Sequence, residues 1–327
     1  MENLDNIIEN STFLVTGGAG FIGSNLVELL INRNAKLVRV LDNLSNGYFD
    51  NIKQFVGLPN FEFIEGDIRD LETCEKAVKN IDYISHQAAL GSVPRSIEDP
   101  ITSNDVNIGG HLNMLVAAKN SESLKRMVYA ASSSSFGDSP ELPKVEGNEG
   151  KPLSPYAVTK WVNELYGDVF SRVYGLHTIG LRYFNIFGPK QNPNNPYAAV
   201  IPLFMKAAVE GKSPVINGDG SNSRDFTFVE NALQANLKAM LQTPELNKHE
   251  VVNIAVGDRT SLIELWEAIA HAAGIKLEPI FGPSRPGDIP HSLASIEKAK
   301  QLIGYDPKFK IRDGIKITYD WFVKTHG

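Results

Sequence analysis

Apolar residues fall into two kinds of run along the first 180 residues, and the two kinds alternate. Short unbroken runs such as Phe13-Leu-Val15 predict buried strands near 12–16, 36–41, 61–65, 81–86, 126–131 and 177–182. Between them apolar positions recur every three or four residues, as at Leu26, Val27, Leu29 and Leu30. That spacing predicts helices near 21–33, 71–79, 104–119 and 155–174. Such alternation predicts an α/β fold with a parallel sheet covered on both faces, because each parallel crossover carries a helix. Near residue 183 the texture changes: Asn185-Ile-Phe-Gly-Pro189 and Gln191-Asn-Pro-Asn-Asn-Pro-Tyr197 read as loop. Beyond them the pattern predicts helices near 199–211, 261–273, 294–303 and 312–325. It also predicts a short strand at 214–216 and one at 251–255 that returns to the main sheet. The expected organisation is a main lobe over 11–182, rejoined by 228–259, and a smaller interleaved lobe formed by 183–227 and 260–327.

The residues with chemical potential gather where predicted strands end, which is where such sheets bind ligands. After the first strand comes Thr16-Gly17-Gly18-Ala19-Gly20-Phe21-Ile22-Gly23, leading directly into a helix. Glycines 17, 20 and 23 allow a sharp turn, close approach of a pyrophosphate and tight packing of helix on strand. The helix start at Phe21 and Ile22 adds free N–H groups and a positive dipole end. Asp42 closes the second strand 19 residues after Gly23, where an acid grips adenosine ribose hydroxyls and repels a 2′-phosphate. The motif therefore predicts a Rossmann-type, doubly wound parallel sheet and NAD as the cofactor. Asp67-Ile68 and His86-Gln87-Ala-Ala89 end two further strands.

Given a dinucleotide site, a second stretch gains meaning. Ser132 stands at the end of the fifth predicted strand, 24 residues before Tyr156, and Lys160 follows Tyr156 by one helical turn. A lysine ammonium beside a phenol favours the phenolate, so the expected effect of Lys160 is a lowered Tyr156 pKa and a base usable near neutral pH.

Composition removes several function classes. The net charge of −6 argues against a nucleic-acid partner, whose affinity needs a basic stripe. No apolar run is long enough to predict a membrane span, and the acidic N-terminus lacks a signal pattern, so a cytoplasmic location is expected. The single cysteine, Cys74, permits neither an intrachain disulfide nor a cysteine metal cluster, and no metal is expected.

Together these residues resemble the extended short-chain dehydrogenase/reductase family, and within it the nucleotide-sugar 4-epimerases. The likeness runs from Thr12 to about Gly304. It implies that Gly17, Gly20, Phe21, Ile22 and Gly23 hold the pyrophosphate, that Asp42 and Asn43 hold adenosine ribose, and that Asp67 and Ile68 flank adenine. Gln87 and Asn107 belong to the same cofactor set. Tyr156 is then the acid/base, Lys160 its partner on the nicotinamide ribose, and Ser132 the hydroxyl that bridges to the reacting oxygen. On the substrate side, Asn185, Arg224 and Arg285 match the diphosphate contacts and Asp288 the uridine ribose contact, while Ser133 and Ser134 line the sugar. Ser292 stands where enzymes for non-acetylated sugars often carry a tyrosine, which implies room for a C2 acetamido group. The resemblance therefore implies a UDP-N-acetylhexosamine 4-epimerase, with UDP-glucose and UDP-galactose as further substrates and a homodimer packed through 104–119 and 155–174. Two sibling activities stay open, a UDP-glucuronate 4-epimerase or decarboxylase, for which Arg95 is the candidate cation. A 4,6-dehydratase fits less well because Ser133-Ser134-Ser135 offers no carboxylate. A non-catalytic NAD sensor on the same fold is the alternative from another class.

Overall fold

The computed structural model describes residues 2–193, 199–242, 246, 248–283 and 290–326. Its centre is a sheet whose seven strands, numbered along the chain, are β1 Thr12–Thr16, β2 Leu37–Asp42, β3 Phe61–Glu65, β4 Tyr83–His86, β5 Arg126–Ser132, β6 Thr178–Tyr183 and β7 Glu250–Ile254. They lie in the order β7-β6-β5-β4-β1-β2-β3, and every neighbouring pair is parallel. The order reverses between β1 and β4, where Thr16 pairs with Leu41 on one side and His86 on the other. Such a switch point leaves a crevice beyond the carboxyl ends of the strands.

Both faces of the sheet are covered, and β1 shows why its sequence is apolar throughout. Phe13 and Val15 point into one core with the helices Phe21–Asn32 and Val229–Leu241, whereas Leu14 points into the other with His111–Lys119. The longest helix, Pro155–Tyr174, has the bounds its sequence predicts. Ser154 caps it by accepting from the Ala157 N–H at 3.1 Å, Pro155 fits the first turn, and Gly175 at φ 69° ends it. The strand near 251–255 does return to the sheet, as β7 beside β6.

Two elements differ from expectation. The single helix expected over 104–119 is three pieces: Pro100–Asn104, a six-residue π-helical segment Asp105–Gly110, and His111–Lys119. The segment sets Asn107 inward and brings Gly110 so close to Ile68 that a Cβ would stand 2.5 Å from its Cδ1. The helix Val229–Leu241 has no counterpart in the sequence reading. It is buried on most of its surface, so no one-sided apolar stripe marks it.

The remaining elements build outward from the sheet's carboxyl edge. Short pairings join Ile186–Phe187 to Thr227–Phe228 and Ser223–Arg224 to Thr260–Ser261. The helices Val200–Val209, Leu262–Ala273, Glu297–Ile303 and Ile311–His326 pack around them. Among the described residues, no helix is long and apolar enough to cross a membrane.

Candidate active site

The glycine turn is held by sterics. Gly17 takes φ 66°, and a Cβ there would stand 2.7 Å from the Ala88 nitrogen; a Cβ on Gly23 would stand 2.2 Å from the Gly17 carbonyl oxygen. The helix that follows starts at Phe21 with Gly20 as its N-cap, so no side chain occupies the first N–H groups. Asp42 is buried at the end of β2. One carboxylate oxygen accepts from the Ala19 N–H at 2.9 Å and the other from Leu44 at 2.8 Å, while burial pushes its pKa up. Asn43 donates to Asp67 at 2.8 Å, and the Arg69 guanidinium beside Asp67 holds that carboxyl down at about 2.

These groups line one cavity of about 550 Å³, whose wall also includes Ile68, Gln87, Ser132, Ser133, Tyr156 and Lys160. Such a volume suits a cofactor-sized ligand. The Tyr156 hydroxyl is hydrogen-bonded to Ser132, and the Ser134 hydroxyl donates to Ser132 at 2.9 Å. Lys160 is buried, donates to the Ala130 carbonyl at 2.8 Å, and sits 5.9 Å from the centre of the Tyr156 ring. Asn107 lies behind this group: it accepts from Leu90 N–H at 2.8 Å and donates to Thr159 at 3.1 Å, pinning the segment after β4 to the Tyr156 helix.

The electrostatics correct one expectation. Tyr156 is not lowered by Lys160 in this structure; burial raises its pKa above the ordinary phenol value, and only the Ser132 hydrogen bond opposes this. Lys160 is itself pushed down to about 8 by loss of solvent, against the pull of Glu164. Loss of solvent outweighs the Ser132 hydrogen bond at Tyr156 and the Glu164 attraction at Lys160.

A second cavity, of about 630 Å³, meets the first at Asn185 and Ile186. Arg224 lies in its wall with Phe204, Lys206 and Asn222. Asn185 adopts φ 41° and donates to the Asp225 carbonyl at 3.2 Å, while the Arg224 guanidinium donates to the carbonyls of Ser223 and Pro290 at 2.9 and 3.1 Å. Ser292 stands beside this group, its N–H donating to the Ser223 carbonyl at 3.0 Å, and lines neither cavity. Arg285 and Asp288 lie outside the described residues.

Three parts of the site were not read from the sequence. Gln87, assigned to the cofactor from the sequence, joins the unforeseen Ser85, Asn236 and Tyr183 in one hydrogen-bonded group, with Tyr183 donating to Gln87 at 3.2 Å and accepting from Asn236 at 2.8 Å. Arg182 is paired with Glu164 at 2.7 Å and also with Glu149, directly behind Ser135. Asp225 is fully buried and accepts from Val256, Gly257 and Ala294 N–H groups at 2.9, 3.1 and 3.3 Å. The signal for Asp225 lay next to Arg224 in Ser223-Arg-Asp-Phe226; Asn236 had none, since its helix was itself unread.

The first cavity fits NAD. Its glycines leave a cradle that a Cβ would fill, an uncapped helix start faces it, and Asp42 closes the end where a 2′-phosphate would lie. A Rossmann-type sheet with a serine, a tyrosine and a lysine at the far end of a dinucleotide cleft defines a protein built to oxidise and reduce an alcohol. Comparison with known proteins agrees. The family model described as GDP-mannose 4,6 dehydratase matches residues 14–318, and the chain belongs to that family, part of the extended short-chain dehydrogenases/reductases. A protein of Methanocaldococcus jannaschii described as a putative UDP-glucose 4-epimerase is 37% identical over 310 residues, covering 94% of this chain and 97% of that one. The UDP-N-acetylglucosamine 4-epimerase of Methanobrevibacter ruminantium M1, solved with UDP-N-acetylmuramic acid, is 39% identical with a TM-score of 0.89, covering 96% of this chain and 98% of its own. The UDP-glucuronic acid 4-epimerase of Bacillus cereus, solved with UDP-glucuronic acid and NAD, is 29% identical with a TM-score of 0.88, covering 96% and 100%. The chain thus stands among the nucleotide-sugar 4-epimerases, isomerases that depend on NAD.

Proposed function

We propose that the protein is a UDP-N-acetylhexosamine 4-epimerase that also accepts UDP-glucose and UDP-galactose. The observation that carries this reading is the meeting of the two cavities at Asn185: Ser132, Tyr156 and Lys160 line one side of the junction, and Arg224 lines the other. A nucleotide diphosphate held at Arg224 and Asn185 presents its sugar to Tyr156. Arginine suits that task because its planar fork binds phosphate bidentately. Asn185, Arg224, Arg285 and Asp288 form the proposed UDP grip, and the lobe of 183–227 and 260–327 carries it. The lobe of 11–182 and 228–259 carries the cofactor.

In the proposed reaction Tyr156 removes the proton from the sugar 4-hydroxyl and later returns one to the 4-oxygen. Ser132, already bonded to the Tyr156 hydroxyl, holds that oxygen in line. Lys160 places a positive charge beside the forming phenolate. NAD, when bound, supplies the acceptor that takes hydride from C4 and gives it back to the opposite face. The two ends of the substrate are held unequally: binding energy sits on the non-reacting diphosphate, which leaves the sugar free to turn between the two transfers.

Support for an N-acetylated sugar comes from the small side chains of Ser132 and Ser133 in the cavity wall beside Tyr156 and from the 39% identical relative; Ser134, Ser135 and Ser292 lie off both cavities and add none. The uronate reading draws on the Bacillus cereus relative. Its candidate cation, Arg95, is bonded to Asn46 on the wall of the dinucleotide cleft, which takes support from that reading. We also propose a homodimer. Val158, Leu165 and Val169 form an exposed apolar stripe on the Tyr156 helix, and Ile97 and Ile101 are exposed at 65% and 74%. Incubating the purified protein with UDP-N-acetylglucosamine and with UDP-glucose, without added NAD, tests the function. Formation of the galacto products supports it, 4-keto-6-deoxy products indicate a dehydratase, and no turnover of either sugar refutes it.

A further inference from the structure

The strand Ser223–Arg224 lies between two stretches of chain. Thr260–Ser261 pairs with it antiparallel on one side, and Ser223 bridges His291 in parallel on the other. The second stretch is tied on closely. Ser223 N–H donates to the Pro290 carbonyl at 3.0 Å, Ser292 N–H to the Ser223 carbonyl at 3.0 Å, and the Arg224 guanidinium to Pro290 at 3.1 Å. Asp225, at the end of this strand, reaches both stretches with one carboxylate. Its Oδ1 accepts from Val256 N–H at 2.9 Å, and its Oδ2 from Gly257 and Ala294 N–H groups at 3.1 and 3.3 Å. Val256 and Gly257 lead from β7 into Thr260–Ser261, and Ala294 follows Ser292 on the other stretch.

The same residue also holds the junction of the two cavities. The Asp225 carbonyl accepts from the Asn185 side-chain amide at 3.2 Å, and Asn185 sits at φ 41°, a left-handed conformation that asparagine adopts more readily than most residues. Asp225 is fully buried and lines neither cavity, so it can act on a ligand only through its neighbours. A carboxylate suits this place because both of its oxygens only accept. An amide of the same shape would turn N–H groups toward one set of the donors.

We propose that Asp225 is a positioning residue for the substrate: through its carboxylate and its carbonyl it fixes the two side chains, Arg224 and Asn185, that hold the nucleotide diphosphate. This rests on the UDP grip proposed above. Arg224 takes its direction from a strand whose two flanking stretches are joined by the Asp225 carboxylate. When one of those bonds is lost the stretches loosen, and the guanidinium and the amide no longer converge on one diphosphate. The cofactor cleft is untouched, because Val256, Gly257 and Ala294 line neither cavity.

The test is UDP affinity by calorimetry in the NAD-loaded protein, together with kcat and KM for UDP-N-acetylglucosamine. Asp225→Asn should weaken UDP binding and raise KM by about 10-fold, the size of one charge-assisted hydrogen bond, with kcat within about 2-fold of the wild type. NAD content should be unchanged. On an Arg224→Ala background the same substitution should weaken UDP binding by less than about 3-fold, since a contact already lost cannot be lost again. A lowered thermal midpoint with unchanged UDP affinity makes Asp225 a purely structural residue and overturns the proposal. An undiminished loss on the Arg224→Ala background overturns it as well. If Asp225→Asn does not fold, hydrogen exchange in the wild type decides. UDP should slow exchange of the Val256, Gly257 and Ala294 amides, and unchanged exchange overturns the proposal. Unchanged UDP affinity in Arg224→Ala alone refutes the UDP grip and this proposal with it. A loss in Arg224→Ala without one in Asp225→Asn overturns this proposal and leaves the grip standing.

Discussion

Asp225 offers a prediction whose size follows from its surroundings. Its carboxyl is fully buried beneath the Arg224 segment, and burial raises its pKa from 3.8 to about 6 despite three backbone N–H donors; Asp258 adds repulsion. A raised acid pKa means that the folded protein holds this proton at pH values where the unfolded chain has lost it. Stability from this group is therefore present at low pH and declines as pH rises through the window from 3.8 to about 6. Two pKa units and a little more amount to about 3 kcal/mol, of which about 2 kcal/mol falls between pH 4 and pH 7. Asp225→Asn removes the titration, and it also leaves at least one of the Val256, Gly257 and Ala294 N–H groups without its acceptor. The assay is urea unfolding of the NAD-free protein at a series of pH values, for wild type and variant. Taking the difference between the two proteins cancels every other titrating group. The wild type should lose about 2 kcal/mol of stability relative to the variant between pH 4 and pH 7. A difference that is flat with pH, or that moves in the wild type's favour as pH rises, would refute the reasoning.

Four further outcomes are expected. Gly23→Ala should abolish NAD binding, measured as cofactor bound per chain, because its Cβ falls 2.2 Å from the Gly17 oxygen. Lys160→Met should eliminate turnover yet raise the thermal midpoint of the NAD-free protein at pH 7. The depressed pKa of about 8 marks the buried ammonium as a burden of about 3 kcal/mol, and an equal or lower midpoint would contradict this. Glu164→Gln should destabilise the protein by about 3 kcal/mol in urea unfolding, because Arg182 keeps its buried charge and loses the carboxylate that pairs with two of its nitrogens, with Glu149 left as its one ion-pair partner among the described residues. Leu165→Glu should convert a dimer to a monomer by light scattering, with the NAD content of each chain preserved.

The sheet was legible in the sequence because parallel strands buried on both faces are written as unbroken apolar runs, as in Phe13-Leu-Val15. The glycine turn was legible because sterics allow few other residues there. The helix Pro155–Tyr174 was legible to its ends because Ser154, Pro155 and Gly175 punctuate it. What escaped lacks local punctuation. Val229–Leu241 is buried nearly all round, and the π-helical turn at Asp105–Gly110 answers to packing against Ile68 and Leu90 rather than to its own composition. The candidate site was readable as residue types at strand ends, and the structure brings Ser132, Tyr156, Lys160 and the glycine turn into one cavity. The charge balance was not readable. Spacing alone places Lys160 one turn from Tyr156, but burial, which depends on the whole fold, decides that the phenol is raised and the ammonium depressed.

The central claim is that C4 of the sugar is oxidised and reduced within one site, with the hydrogen never leaving the protein. Following UDP-N-acetylglucosamine carrying deuterium at C4 through to the epimeric product tests it most directly. The account predicts that the product keeps its deuterium at C4 in ordinary water, and that Tyr156→Phe binds the labelled substrate without converting it. Loss of the label to solvent would contradict hydride return, and near-normal conversion by Tyr156→Phe would remove Tyr156 from the chemistry.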